Sequence, residues 1–306
     1  MEKKSVWTTI KNDFKRNRYI YLLAVPVVAY LLIFHYKPMY GVIIAFKRYR
    51  PTAGIAGSRW VGWANFERIF RDPYFGRLLR NTVSISLSTL LFSFPAPIVL
   101  ALMLNEVRHS GFKRTVQTIS YMPHFISTVV LCGIVNIFCG TDGLFNTFVE
   151  FFGGERKNLL NQKSLFHLIY VGSGIWQGIG WNSIIYLATL AGIDQEQYEA
   201  AKVDGANRLQ QMFHITLPGL MPTATMLLIL RMGSLLSVGH EKILLLYTPL
   251  TYEVADVIST YVYRKGFVNY DYSYGTAFGI FNSVVNIIML LIANKFSKTV
   301  GQSGLF

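Results

Sequence analysis

Long apolar runs with at most one charged residue each alternate with polar segments along the whole chain. Six runs approach or exceed the roughly 20 residues that a helix needs to cross the hydrocarbon core of a bilayer. They are 19–46, 83–104, 115–141, 168–193, 217–239 and 273–294. A membrane β-barrel would instead show short segments of alternating hydrophobicity. The pattern therefore predicts an all-α membrane protein with six transmembrane helices.

Composition agrees with a membrane location. Of 306 residues, 52% are hydrophobic and only 15% are charged, whereas soluble domains carry about a quarter charged residues. The net charge is +13, which we interpret as basic residues beside the membrane that contact anionic lipid. Nucleic-acid binding would require a basic patch on a soluble domain, and the sequence shows no such domain. We predict lipid as a partner and no nucleic acid.

The first apolar run follows a basic tail, as in a signal peptide. No small-residue cleavage site follows the run, and five more runs do, so we expect it to remain as an anchor. The predicted organisation is a cytoplasmic tail over 1–18, a six-span domain over 19–296 and a cytoplasmic C-terminal tail over 297–306. Lysines and arginines divide evenly between the two sides, so only the dense N-terminal group favours this orientation.

Patterns for catalysis or metal binding do not occur in the sequence. The six histidines are scattered, no glycine-rich phosphate loop is followed by Lys and Ser or Thr, and no Ser/His/Asp arrangement is evident. Cys132 and Cys139 share one helix face about 10 Å apart, too far to bridge, so we expect packing roles. We predict a chain with no catalytic residues and no bound metal.

Small residues four positions apart occur in two of the predicted spans. Gly174 and Gly178 lie in the fourth, and Gly275 and Gly279 in the sixth. Such pairs let membrane helices approach closely. The alternative is that they leave room for a translocation path.

The longest polar interval of the second half is the loop 194–218. Asp194 suits a helix N-cap, and Gly205 suits a helix end in left-handed geometry. We predict a first helix over 195–204 and a second from Ala206 to Ile215, ended by Pro218 and Pro222. The loop is then either a projecting pair of helices that docks another protein or an interfacial connector between spans.

The loop resembles the signature of permease subunits of ABC importers. That signature is Glu-Ala-Ala, three residues, Gly, nine residues, Ile, one residue, Leu-Pro, and this chain has it at full spacing. The matching residues, with the flanking pair typical of the carbohydrate branch, are Glu199, Ala200, Ala201, Asp204, Gly205, Ala206, Ile215, Leu217 and Pro218. The segments 60–82, 114–127 and 255–298 are similar to maltose-type permeases, especially the subgroup that imports oligo- or polysaccharide fragments. The large outer domain of one maltose permease subunit is missing here.

The resemblance implies a type I ABC importer permease fold with a cytoplasmic coupling helix pair between spans four and five, and with both termini inside. It implies a second permease subunit, in this subgroup a heterodimeric partner, together with two ATP-binding subunits and an extracellular solute-binding protein. ATP and Mg²⁺ would be bound by the partner ATPase, which fits the lack of a phosphate loop in this sequence. The nine residues above would then couple ATP hydrolysis to transport.

Candidates for a substrate path lie in spans four to six. Sugars are bound by aromatic faces and by amide or hydroxyl partners. The candidates are Trp176, Gln177, Trp181, Asn182, Tyr186, Arg231, Asn282 and Asn286. Arg231 is a formal charge deep in a span, which marks a functional hypothesis: it meets an acidic sugar such as a uronate, or it pairs with the partner permease. For the neutral candidates, helix packing is the competing interpretation.

Two alternatives to an oligosaccharide importer stay open. One is an importer permease for a non-sugar solute such as a peptide or glycerol phosphate. The other is an ion-coupled secondary transporter, which would favour acidic residues in the central parts of spans, and none lies there. The second alternative also leaves the signature loop unexplained.

Overall fold

The computed structural model describes residues 13–299, and within them the chain is almost entirely helical. The predicted tails 1–18 and 297–306 therefore fall largely outside the described residues. The helices are α1 Arg18–Leu31, α2 Lys37–Met39, α3 Gly54–Gly57, α4 Ala64–Arg71, α5 Phe75–Ser93, α6 Pro95–Glu106, α7 Ser110–Tyr121, α8 Thr128–Cys139, α9 Leu144–Phe151, α10 Phe166–Ala191, α11 Gln195–Val203, α12 Arg208–Gln211, α13 Leu217–Met232, α14 His240–Leu246, α15 Tyr252–Ala255, α16 Ile258–Val262 and α17 Tyr272–Thr299.

Five helical segments of the described chain are long and apolar enough to cross a membrane. They are Arg18–Phe46, Phe75–Glu106, Thr128–Phe151, Arg208–Met232 and Tyr272–Thr299. The predicted fourth span forms the continuous 26-residue helix α10. It is not among these five segments, so a sixth span stays a prediction. A membrane protein with several spanning helices is what the structure supports.

The prediction of one third span over 115–141 was wrong. Helix α7 ends at Tyr121 and gives way to a single 3-10 turn, Met122–Phe125, that contains Pro123. Proline supplies no backbone N–H, so the α-helical ladder breaks there. Ile126 and Ser127 are extended, and the Ser127 hydroxyl caps a new helix by accepting from the N–H of Val130 at 3.3 Å. The apolar span therefore begins at Thr128 and continues to Phe151.

A short antiparallel hairpin follows the first span. Strand β1, Lys47–Arg48, pairs with β2, Arg59–Trp60. The amide of Asn65 donates to the carbonyls of Ala45 and Lys47 at 2.8 and 3.1 Å, which fixes α4 against the hairpin. Ile69 of α4 is fully buried against the neighbouring helices.

Three apolar clusters hold the helices together. One joins α8, α14 and the start of α10; a second joins α4, the first turn of α5, α16 and α17; a third joins α6, α10 and α13. Their fully buried members are led by Leu131 and Ile243 in the first cluster, Leu78 and Phe278 in the second, and Leu220 in the third. Cys132 and Cys139 are free and buried in the first cluster, as the sequence predicted.

Two carboxylates, one of them buried, pin the loops at one end of the bundle. Asp256 is 2% exposed and accepts from Arg264 at 2.6 Å and from the Thr260 hydroxyl at 2.7 Å. Asp72 accepts from the hydroxyls of Tyr261 and Tyr274 at 2.7 and 3.1 Å. A buried charge is tolerated only when it is paired, so these contacts hold the segment 252–274 in one arrangement.

Among the described residues, the tightest packing at a glycine occurs at Gly180, which belongs to neither of the glycine pairs noted in the sequence. A Cβ at Gly180 would overlap the backbone carbonyl of Ser120 on α7, so α10 and α7 meet there. A Cβ at Gly178 would meet only the side chain of Asn182 on the same helix, and a Cβ at Gly279 would meet open space. Gly275 does pack closely, with its Cβ position 3.2 Å from Cα of Gly266.

Candidate functional site

A cavity of about 800 Å³ lies between the central helices. Its walls come from the junction of α5 and α6, from α10, from α13 and from α14. Among the predicted path residues it is lined by Trp181, Asn182, Tyr186 and Arg231. Its volume lies within the range of ligand sites in proteins, about 300–1,000 Å³. Four of the eight candidates therefore meet at one concave surface.

Two cations and one tyrosine give the cavity its electrostatic character. Arg231, from α13, also borders a smaller adjoining cavity of about 250 Å³. Lys242, from α14, donates to the carbonyl of Tyr170 at 2.8 Å and lies 4.6 Å from the centre of its ring. Within the described chain, neither cation forms an ion pair with a carboxylate. The cavity therefore presents uncompensated positive charge to whatever enters it.

Burial weakens the charge of Lys242, which lies outside the five candidate spans. It lowers the pKa of the Lys242 ammonium to about 8, because water is removed from the charged form. The nearby Cys132 thiol opposes that shift only in part. Lys242 is protonated below this pH and neutral above it.

Trp181 is held in place by the turn that interrupts the third apolar run. The His124 ring stacks on the Trp181 indole, with centroids 4.5 Å apart and planes 2° apart. Phe125 meets the same indole edge-on at 5.6 Å. The Gln177 amide donates to the carbonyl of Ile126 at 2.9 Å and so ties this turn to α10. Trp181 is 42% exposed, which leaves ring surface open toward the cavity.

The other candidates do not line this cavity. The Gln177 amide is bonded to the carbonyl of Ile126, and the Trp176 side chain is exposed on α10 outside the cavity. The Asn286 carbonyl accepts from the N–H of Leu236 at 3.0 Å, and its amide donates to the Ser237 hydroxyl at 3.0 Å. Asn286 thus provides a hydrogen-bond acceptor for the backbone N–H of Leu236, which follows the end of α13. Asn282 has a buried carbonyl oxygen without a partner among residues 13–299.

Lys242 and Tyr170 were missed from the sequence. Lys242 lies just after the fifth apolar run, in a stretch that reads as a polar loop. Only the return of α14 against α8 places it in the interior, where Ile243 and Leu246 are buried. The sequence "HEKILLL" places Lys242 directly before four aliphatic residues, and this apolar stretch could have indicated that the segment folds into the interior.

The loop 194–218 begins as predicted. The Asp194 carboxylate caps α11 by accepting from the N–H of Glu196 at 3.0 Å. Gly205 has φ +81°, and the N–H groups of Gly205 and Ala206 bond to the carbonyls of Lys202 and Ala201. This is the paired Schellman arrangement that ends a helix at a left-handed residue.

The second half of the loop differs from the prediction. Asn207 and Gln210 form a reciprocal capping box that starts α12. The helix then continues through a wider π turn, Met212–Thr216, into α13, so Pro218 and Pro222 do not end it. Pro218 and Pro222 both lie within α13, directly after the π turn and one turn further on. Only α11 is a separate short helix.

The loop is braced internally and exposes apolar side chains outward. The Tyr198 and Thr216 hydroxyls lie 3.0 Å apart, and the Gln211 amide donates to the Ala206 carbonyl at 2.9 Å. A surface cavity of about 290 Å³ is lined by Ala201, Asp204, Gly205, Ala206 and Ile215 among others. Val203 and Leu209 are 88% and 64% exposed. The loop therefore combines a concave surface with exposed apolar side chains.

Comparison with protein families gives one match that covers most of the chain. The family described as "Binding-protein-dependent transport system inner membrane component" matches residues 93–302. This range contains the whole loop 194–218 and helices α6 to α17.

Relatives of known name match nearly end to end. The chain is 47% identical to protein LplB of Bacillus subtilis (strain 168), over 95% of this chain and 92% of LplB. It is 44% identical to the polygalacturonan/rhamnogalacturonan transport system permease protein YteP of the same organism, over 95% of this chain and 91% of YteP. Among solved structures, a bacterial ABC transporter involved in the import of the acidic polysaccharide alginate matches with a TM-score of 0.88 and 44% identity, over 95% of this chain and 99% of that one.

Proposed function

Because this chain belongs to the family of binding-protein-dependent transport system inner membrane components, we propose that it is the permease subunit of an ATP-driven importer for acidic oligosaccharides. It is a membrane-spanning subunit and not an enzyme. The observation that carries the substrate class is the central cavity, in which Arg231 and Lys242 face the interior without a carboxylate partner in the described chain.

Those two cations suit a carboxylate-bearing sugar. An unpaired cation in a partly dehydrated cavity is costly, and an entering carboxylate relieves that cost through charge-assisted hydrogen bonds. The exposed face of Trp181 offers a stacking surface for a sugar ring, and Asn182 offers amide groups. YteP is a polygalacturonan/rhamnogalacturonan transport system permease, and the similar alginate transporter imports an acidic polysaccharide. We assign the cavity as the substrate path on these grounds.

The loop 194–218 is proposed as the coupling element. Glu199, Ala200 and Ala201 lie on α11, and the Schellman turn at Gly205 with the Tyr198–Thr216 contact makes the loop stiff. A stiff element is required to transmit the motion of a docked ATPase to the spans. Ile215, Leu217 and Pro218 continue the loop into α13, so a push on α11 reaches the wall that carries Arg231.

The remaining subunits follow from the family and from this assignment. We propose a second permease subunit, which forms the other half of the path, and two ATP-binding subunits that hold ATP and Mg²⁺. A solute-binding protein delivers the sugar to the opposite face. With the coupling loop in the cytoplasm, both termini are cytoplasmic and the chain spans the cell membrane.

Uptake into proteoliposomes tests the substrate class. The chain is reconstituted with its partner permease, ATPase and binding protein, and uptake of uronate oligosaccharides is compared with that of neutral ones of equal length. In Arg231→Gln or Lys242→Gln, uptake of the acidic sugar is expected to fall about tenfold, the effect of losing one charge-assisted hydrogen bond. Uptake of any neutral sugar that the wild type carries should be unchanged.

Lys157→Gln is the matched control, because Lys157 pairs with Glu155 on the surface, away from the cavity. Equal losses for acidic and neutral sugars would instead mean that Arg231 supports the partner interface. Uptake of peptides or glycerol phosphate, with no sugar uptake, would favour the non-sugar importer. Uptake that needs an ion gradient but no ATP would favour a secondary transporter.

A further inference from the structure

A second charged cavity lies at the end of the bundle opposite the loop 194–218. Helices α5 and α6 form one long rod, Phe75–Glu106, whose C-terminal residue Glu106 pairs with Arg208 of that loop. The first turns of α5, at the other end of the rod, line a cavity of about 630 Å³ through Arg77 and Arg80. Lys163 and the segment 249–253 complete its walls.

Positive charge exceeds negative charge in this cavity. Lys163 forms an ion pair with Glu253, the acidic residue of the lining. Arg77 lies 3.8 Å from the buried Asp256, which Arg264 already neutralises, and Nε of Arg77 is buried without a partner among residues 13–299. Arg80 forms no hydrogen bond or ion pair within that same range. Arg80 and Arg77 thus keep donors available to an anion.

Ionised Glu253 does not cancel that excess. Its pKa is lowered first by the hydrogen bond and charge of Lys163, and further by Arg80 and Arg77. Glu253 is therefore a carboxylate at neutral pH, and two arginines remain in excess over it. The phenol of Tyr252 lies in the same wall and is 37% exposed, which adds an aromatic surface.

Helix α5 borders both this cavity and the central one. Two turns beyond Arg80, Ser86 and Thr89 line the 250 Å³ cavity that also contains Arg231. Thr89 then borders the central cavity as well, followed by Ser93. From Arg80 to Thr89 the helical rise is about 14 Å. The outer cationic site and the inner cavities thus lie at successive levels along one helix, on different faces of it, because nine residues turn an α-helix by about two and a half turns.

We propose that Arg77, Arg80 and Lys163 form a receiving subsite that binds a carboxylate of an acidic oligosaccharide before the sugar enters the central cavity. This inference rests on the proposed function. A sugar with charged groups along its length can contact the outer and the inner cations in succession, so the outer site lowers the cost of leaving the binding protein.

Charge rescue at position 80 tests the proposal in the complete reconstituted importer. Arg80→Cys is treated with a thiol reagent that adds an ammonium group or with one that adds a sulfonate. The native cysteines, Cys132 and Cys139, are buried and do not compete. At saturating binding protein, maximal uptake of a uronate oligosaccharide should fall about fivefold in Arg80→Cys, recover with the ammonium and fall further with the sulfonate. Uptake of a neutral oligosaccharide should not respond.

Arg71→Cys is the matched control, since Arg71 is an exposed arginine of α4 near the same end but outside the cavity. Equal uptake of the acidic sugar with both reagents overturns the proposal. A second outcome also overturns it: the variant changes only the binding-protein concentration that gives half-maximal uptake, and does so equally for acidic and neutral sugars. That outcome would place Arg80 in a contact with the binding protein. If the wild type instead shows no preference for acidic sugars, the proposed function fails rather than the subsite.

Discussion

The guanidinium of Arg208 lies 3.5 Å from the carboxylate of Glu106. This contact joins the loop 194–218 to the C-terminal end of the α5–α6 rod. The middle of the same rod, where α5 meets α6, lines the central cavity. Both side chains are at least half exposed, so the ion pair adds little to stability. We expect the pair to matter for the transmission of motion between the loop and the rod rather than for stability.

We predict that reversing this ion pair preserves its function. Glu106→Arg alone and Arg208→Glu alone place like charges together and should each reduce binding-protein-stimulated ATP hydrolysis about two- to fivefold. The double variant restores an attractive pair and should recover most of the activity. Stimulated hydrolysis in proteoliposomes measures this. Losses that simply multiply in the double variant would show that the two residues act independently.

Gly205→Ala should impair coupling. A left-handed residue other than glycine costs about 1–2 kcal/mol, and a Cβ at Gly205 would meet open space, so backbone strain is the whole effect. We expect assembly to be retained and ATP hydrolysis to lose its response to the loaded binding protein. Gly172→Ala is the control, because its Cβ also meets open space but its backbone is helical. A normal response in Gly205→Ala would mean that the loop is only a connector.

Gly180→Leu should prevent correct packing. The added side chain would overlap the Ser120 carbonyl, and backbone cannot yield as a flexible side chain can. Overpacking of this kind costs about 1–3 kcal/mol or more. The yield of monodisperse complex in detergent measures the effect, with Gly172→Leu as the control on the same helix. Equal yields would show that α7 and α10 are not held together at this point.

Uptake of an acidic sugar should decline as the pH rises through about 8. The pKa of Lys242 is lowered to about 8 by burial, so the ammonium is present below that pH and lost above it. Tyr170 lies in direct contact with Lys242, Arg231 lines the same cavity, and Cys132 is nearby. Initial uptake below saturation, measured from pH 6.5 to 9.5, reports this.

Lys242→Arg should remove that decline, because a guanidinium stays charged throughout the range. Uptake of a neutral sugar serves as the second control and should follow only the pH dependence of ATP hydrolysis. An unchanged decline in Lys242→Arg would assign the titration to another group.

Local patterns predicted much of this protein correctly. Apolar runs indicated the spans because a bilayer imposes a length and a composition on each helix independently of its neighbours. The cap at Asp194 and the left-handed turn at Gly205 were predictable for the same reason, since both depend on residues only a few positions apart. The signature spacing from Glu199 to Pro218 indicated the family before any fold was known.

Tertiary structure decided what the local patterns left open. Whether Pro218 ended a helix depended on a π turn before it, and whether Asn286 faced substrate depended on where the backbone of Leu236 came to lie. Lys242 entered the cavity only because α14 folds back against α8. Which residues share a cavity is a property of contacts between segments distant in sequence, and neither hydrophobic period nor helix capping carries that information.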